Sequence, residues 1–165
     1  MALDRDQVVD AAWHILRSYG LGDLSMRRLA RELGVQPGAL YWHVANKQEL
    51  LSVLAQRMVA PLTGSGGSPA QIIGAFREMV LAVRDGADVV SVAHALDPEG
   101  MQPAPLLTSA LVRSGRDPQD AATTALTLVR FALGAVTAQQ TRESMDLPTA
   151  TMAAEFEAGV RAILA

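Results

Sequence analysis

Tyr41, Trp42 and His43 stand in a row, three large side chains with polar tips, between Leu40 and Val44. Leu40 and Val44 are one helical turn apart and are the natural core contacts, so Tyr41 and His43 turn outward. An outward phenol or imidazole can donate to a phosphate oxygen or meet a base edge or a thymine methyl. Trp42 stays open between packing and contact on these grounds. Arg27, Arg28 and Arg31 cluster upstream and Lys47 lies downstream. These cations suit phosphate contacts and an arginine that reads guanine. Any helical bundle also buries aromatic clusters, so spacing alone leaves DNA contact and core packing both open.

A second set of residues has the chemistry of a small-molecule pocket. Phe76, Met79 and Met101 offer broad or adaptable apolar surface, although methionines at helical spacing also fill cores. Arg130 interrupts the apolar run Leu126, Leu128, Val129, Phe131 and Leu133. Facing inward, it needs a carboxylate or an anionic or carbonyl-bearing ligand; facing solvent, it needs nothing. His94 and Gln139 complete the set as polar anchors. His94 has no nearby carboxylate pair, so no metal site is expected. No spaced nucleophile–base pair is present and no Gly-rich phosphate loop follows a strand, so the chain does not read as an enzyme.

The elements that must position these residues are all helical. Asp4 caps a helix over residues 4–19, which carries Val8, Val9, Ala12, Ile15 and Leu16 and stops at Gly20. Ser25 caps a short helix that ends at Gly34. Pro37-Gly38 opens another, running through Ala39 to Val44. Asn46 caps a fourth that carries Leu50, Leu51, Leu54 and Met58. Two short helices across a tight turn, braced by a third, form a helix-turn-helix. From Ala60 to Pro69 the Gly/Ser-rich, proline-bracketed sequence reads as a flexible linker. Beyond it, helices are expected over 69–85, 104–114, from Pro118 to about Thr141, and about 149–164. Residues 87–96 read as a short apolar segment, interrupted by Asp97-Pro98-Glu99-Gly100, that leaves a cavity. Ala121, Ala122, Ala125, Gly134, Ala135 and Ala138 give small faces where helices can approach closely.

The 165 residues are half hydrophobic, 19% charged, and contain no cysteine. Disulfides and thiol chemistry are thereby excluded, and a reducing cytoplasm is the expected location. The charged start argues against a secretory signal, and no run of ~18 apolar residues is free of charge, so no membrane span is expected. The net charge of −3 weighs against a nucleic-acid binder until it is divided. Residues 1–50 hold six Lys+Arg and six Asp+Glu, whereas residues 51–165 hold eight and eleven. The acidity belongs to the C-terminal part, and non-specific DNA affinity is expected to be weak.

The run from Leu24 to Val35, followed by Gly38-Ala39-Leu40-Tyr41-Trp42-His43-Val44 and Asn46-Lys47-Gln48-Glu49-Leu50-Leu51, resembles the TetR family of transcriptional repressors. Within it the chain looks most like the tetracycline-repressor branch, densely over residues 3–58. Arg84-Asp85-Gly86-Ala87, Leu133-Gly134 and Phe156-Glu157-Ala158-Gly159 extend the likeness more weakly. The resemblance implies an all-α fold, with an N-terminal three-helix helix-turn-helix module and a C-terminal bundle for ligand binding and dimerisation. The expected divisions are 1–46 for DNA binding, 47–60 as a connecting helix, 61–68 as linker and 69–165 for ligand and dimer contacts.

By the same resemblance, Arg27, Pro37, Gly38, Ala39, Tyr41, Trp42, His43 and Lys47 fall on DNA-contact positions, and Arg28 of the upstream cation cluster completes the expected DNA-binding set. The expected protein is a cytoplasmic homodimer that binds a palindromic operator and is released by a small apolar or aromatic effector. An effector-independent architectural DNA binder is the alternative. The candidate effector contacts are Phe76, Met79, His94, Met101, Arg130 and Gln139. The positions that hold magnesium through a histidine and a glutamate in the tetracycline repressor are Val90 and Ala138 here, so neither metal nor cofactor is expected. The join before the fifth helix and the loop from Glu143 to Pro148 are shorter than in that repressor.

Overall fold

Side-chain caps set where the N-terminal helices begin. The computed structural model describes residues 3–63 and 66–165 and is all-helical over them. Helix α1 spans Arg5–Tyr19. The Asp4 carboxylate accepts from the Gln7 backbone N–H, and the Gln7 side chain accepts from the Asp4 N–H. This reciprocal box satisfies two donors that a helix start leaves orphaned. Ser25 caps α2 (Met26–Glu32) and Asn46 caps α4 (Lys47–Val59), each with a side-chain oxygen that accepts from a first-turn N–H. Each such cap contributes about 1 kcal/mol.

Between them, α3 (Pro37–Leu40) is shorter than expected. Residues 41–43 continue it as hydrogen-bonded turns, with the His43 and Val44 N–H groups both donating to the Leu40 carbonyl. Only five residues separate Leu40 from the cap at Asn46, which leaves no length for a further helical turn. Leu40 and Val44 are fully buried, with Val8, Ile15, Leu16 and Leu29 in the same core. Truncating Leu40 to Ala would cost about 2–5 kcal/mol.

The linker is shorter than its composition suggests. Ala60–Leu62 forms a 3-10 turn whose Leu62 is buried, and Ser68 is already the cap of α5 (Pro69–Leu81), again as a box with Gln71. Gly64 and Ser65, the middle of the expected linker, lie outside the described residues. Helix α6 (Gly86–Leu96) is continuous up to the interruption expected at Asp97-Pro98-Glu99-Gly100. The break falls afterwards, at residues 97–103, where Asp97 accepts from the Gly100 N–H. Next come α7 (Ala104–Arg113), the 27-residue α8 (Pro118–Ser144) and α9 (Met152–Leu164).

Helix α8 is the spine of the bundle, packed against α5, α6, α7 and α9, while α4 lies along α6. One continuous apolar core runs from Val8 to Val160. The N-terminal helices are therefore not tethered loosely to the bundle. Ala121 and Ala125 point into this core and Ala122 and Ala135 are half-buried, so only Gly134 and Ala138 of the expected small face are exposed. The outward stripe of α8 is instead Thr123, Thr127, Arg130, Gly134, Thr137 and Ala138. Those positions recur chiefly every three or four residues and so share one face.

Candidate nucleic-acid interface and effector clefts

The tip of the N-terminal module presents large side chains to solvent. Trp42 is 89% exposed and Tyr41 52%, so Trp42 is no packing residue. Their neighbours Leu40 and Val44 occupy the inward positions of this turn, which forces 41 and 42 out. His43 and Ala39 are half-buried beside them, and Pro37 and Gly38 are exposed. Nothing lies within 4 Å of the position a Gly38 Cβ would take, so the start of α3 is open to close approach. Indole N–H, phenol and imidazole here offer donors at one edge, with acceptors on two of them.

The flanking cations differ in their freedom. Arg28 is already engaged: it pairs with Asp23, and its guanidinium lies 4.1 Å from the Tyr19 ring centroid. Arg27 and Arg31 are exposed, Lys47 half-buried at the first turn of α4, and none of the three has an ion pair among the described residues. Arg5 pairs with Glu49, whose other oxygen accepts from the Ala45 N–H, which fixes the start of α4 beside α1. Arg57 pairs with Asp10 and lies over the Trp13 ring, a second α1–α4 tie.

A contact that the residue spacing does not reveal joins this module to the bundle. The Asp85 carboxylate accepts from the Leu21 N–H at 2.7 Å, so the α5–α6 turn grips the end of α1. Asp85 itself adopts a left-handed backbone, φ 55°. Gly20 has φ 87°, and a Cβ there would sit 2.6 Å from the Asp85 carboxylate. Glycine is required twice over, by conformation and by close approach. A Cβ on Gly86 would strike the Val80 carbonyl. From the other side, the Gln140 amide of α8 donates to the Val83 carbonyl at 2.8 Å and accepts from the Ala87 N–H at 3.4 Å. The turn is thus held between α8 and α1.

The six candidate effector contacts do not converge. Phe76 is fully buried in the core, Met79 is half-buried, and neither lines any of the clefts described below. Gln139 is committed to the protein: it accepts from Arg77 at 2.5 Å and donates to Glu143 at 2.8 Å. Met101 lines a cleft of about 340 Å³ between α4, α6 and the 97–103 segment. His94 and Arg130 do come together, in a cleft of about 490 Å³ between α6 and α8. His94 is buried, and neither of its ring nitrogens has a hydrogen-bond partner among the described residues. Desolvation, and secondly the Arg130 charge, lower its pKa, so the imidazole is held neutral. Arg130 is exposed rather than internal.

Residue spacing does not single out Arg77, yet it is a buried cation. It is bonded to Glu78 and Gln139, with its guanidinium 5.2 Å from the Phe156 ring centroid. The signal that could have found it is its place on the stripe Ile73, Arg77 and Val80, spaced by four and three. A third cleft of about 470 Å³ lies beside it between α5 and α9. Among the described residues, no three His, Asp or Glu side chains group where a metal could sit.

Residues 8–54 match the model of bacterial regulatory proteins of the tetR family. The tetracycline repressor protein class A from transposon 1721 of Escherichia coli is 34% identical over 151 residues, 86% of this chain and 69% of the repressor. The structure of BioQ with its natural double-stranded DNA operator is similar with a TM-score of 0.83 at 33% identity, covering 99% of this chain and 96% of that one. A TetR variant from Acinetobacter baumannii AYE, in complex with minocycline, gives a TM-score of 0.78 at 29% identity, covering 98% and 94%.

Proposed function

Because the chain belongs to the TetR family of transcriptional repressors, we propose that it is a ligand-responsive repressor that binds a palindromic operator as a homodimer. The observation that carries this reading is the exposed Tyr41–Trp42 edge on a rigidly braced helix-turn-helix. Large aromatic side chains are left in solvent at a loss of burial unless a surface meets them. The TetR relatives named above include one bound to operator DNA and one bound to a drug.

Residues 1–46 would read DNA, α4 would connect, and the bundle from residue 69 would dimerise and bind the effector. Tyr41, Trp42 and His43 would meet the groove, with Pro37, Gly38 and Ala39 allowing backbone approach. Arg27 and Lys47 would hold phosphates. Arg28 would act chiefly by bracing the turn against Asp23 and Tyr19. Such an assignment involves no catalytic step, and cytoplasmic residence follows from the target.

Dimerisation would use α8 and α9. The most apolar stretch of α8 is only 39% buried in one protomer, and its outward stripe is small and mostly uncharged. Two such faces pair into a four-helix bundle around a two-fold axis. The axis would set the two recognition segments at half-sites about one helical turn (~34 Å) or a multiple apart. An effector that prefers another arrangement of α6 and α8 would move the 83–87 turn. Through Asp85 and Leu21 that motion would reach α1, lowering operator affinity, and operator would lower effector affinity by the same factor.

Light scattering with and without operator duplex tests the assembly: a dimer at micromolar concentration, with one dimer per palindrome, is expected. A monomer in both conditions would contradict it.

A further inference from the structure

We propose that the cleft between α6 and α8 is a carboxylate-recognition site, with Arg130 as its cationic anchor and His94 as its hydrogen-bonding partner. This rests on the effector reading above and specifies the ligand class: a small organic acid with an apolar body.

Three observations converge on it. Arg130 has no ion pair or hydrogen bond among the described residues, and the cleft it lines contains no acidic side chain. His94 is only 7% exposed, yet Nδ1 and Nε2 both lack a partner. Buried polar atoms in folded proteins are nearly always paired, so a cleft-lining histidine whose two ring nitrogens are buried without a partner among the described residues is suited to a ligand that seats against that wall. The remaining walls set the body of that ligand: Pro98 and Leu133 are apolar, and Ser91 and Thr137 supply hydroxyls.

The charges fit an acid rather than a base or a neutral drug. A guanidinium offers a planar fork of donors that matches a carboxylate in bidentate geometry. The neutral imidazole adds one N–H donor to a ligand oxygen and keeps one acceptor for a ligand hydroxyl or amide. An ammonium ligand would meet a like charge. The volume, about 490 Å³, accommodates a mono- or bicyclic acid or a medium-chain one. The cleft opens on the α8 stripe at Gly134 and Thr137, so a second copy seated there would roof it.

Benzoate and benzamide, equal in shape and different in charge, are the probes. Imidazole ¹⁵N–¹H spectra of the full chain, assigned with His94→Gln, would follow each titration. Benzoate is expected to shift the His94 resonances saturably, with benzamide at least tenfold weaker. Arg130→Met should abolish the benzoate shift and Arg130→Lys should retain part of it. Equal or non-saturating shifts with both probes would overturn the proposal, because the imidazole would then be satisfied by solvent. Loss of the dimer in Arg130→Met, with no benzoate response in the native chain, would also overturn it and assign the counter-charge to the second copy. Operator affinity measured in the same samples separates the two readings. A saturable benzoate shift without change in operator affinity supports the carboxylate site and contradicts the effector role.

Discussion

In the N-terminal module the outward side chains at the tip are large: Tyr41 and Trp42 stand in solvent beside exposed Arg27 and half-buried Lys47. On α8 the outward stripe is small: Thr123, Thr127, Gly134 and Ala138, broken by Arg130. The module is neutral over residues 1–50, and the acidic excess lies beyond. Large amphipathic tips reach into a groove, whereas small residues let two helices approach. Exposure therefore supports two different partners, DNA at one end and a second copy along the other.

The largest expected effect tests the first half of that contrast. Trp42→Ala and Tyr41→Ala should each cost operator binding about 1–3 kcal/mol per half-site, at least roughly 30-fold for a dimer. Thermal stability should barely move for Trp42→Ala, because little of its surface is buried. Fluorescence anisotropy and melting curves report both, and a fall in stability without loss of affinity would return Trp42 to a packing role.

Asp85→Ala tests whether the two regions communicate. It leaves the Leu21 N–H without its acceptor, at about 1–3 kcal/mol of stability, and should blunt the release of operator by effector. Asp85→Asn keeps an oxygen and tolerates the left-handed backbone, so it should fall between. Equal effector response in all three chains would place the coupling elsewhere.

Lys47→Ala sharpens the electrostatic side of the contrast. The substitution should weaken binding to all DNA sequences alike and lower the salt slope by about 0.9 for each phosphate that Lys47 neutralises. An unchanged slope would take Lys47 out of the phosphate-binding set.

The smallest effect concerns the bundle. His94 has its pKa lowered in the folded chain, so the unfolded chain takes up a proton first as pH falls. Its contribution to stability is complete above about 6.5, the ordinary histidine value, and is lost as pH falls below it toward the folded pKa. Chemical denaturation of the native chain and His94→Leu should therefore differ in their pH dependence on that acid limb. Parallel curves would contradict the desolvated imidazole.

The module is far more legible in the sequence than the bundle, for a physical reason. Asp4, Ser25 and Asn46 each announce a helix start within three residues, and Leu40 and Val44 orient the residues between them. All of that information is local. Pockets and latches join side chains far apart in the chain, and there residue spacing misleads in part. Gln139 has the look of a ligand anchor because its partner Arg77, sixty-two residues away, lies on an apolar stripe. The grip of Asp85 on Leu21 spans sixty-four residues and leaves no periodic trace. The end of residues 87–96 at Asp97-Pro98-Glu99-Gly100 is legible, whereas their packing on α4 and α8 is not, because those partners are remote in the chain.

The most direct test of the central claim is selection of DNA from a randomised duplex pool by the native chain and by Trp42→Ala. The native chain should enrich a palindrome bound by two protomers, with half-sites about one turn (~34 Å) or a multiple apart, and at the same protein concentration Trp42→Ala should enrich it far less. Equal enrichment of the same sequences by both chains, or of none by the native chain, would contradict a repressor that reads DNA through the 41–43 edge.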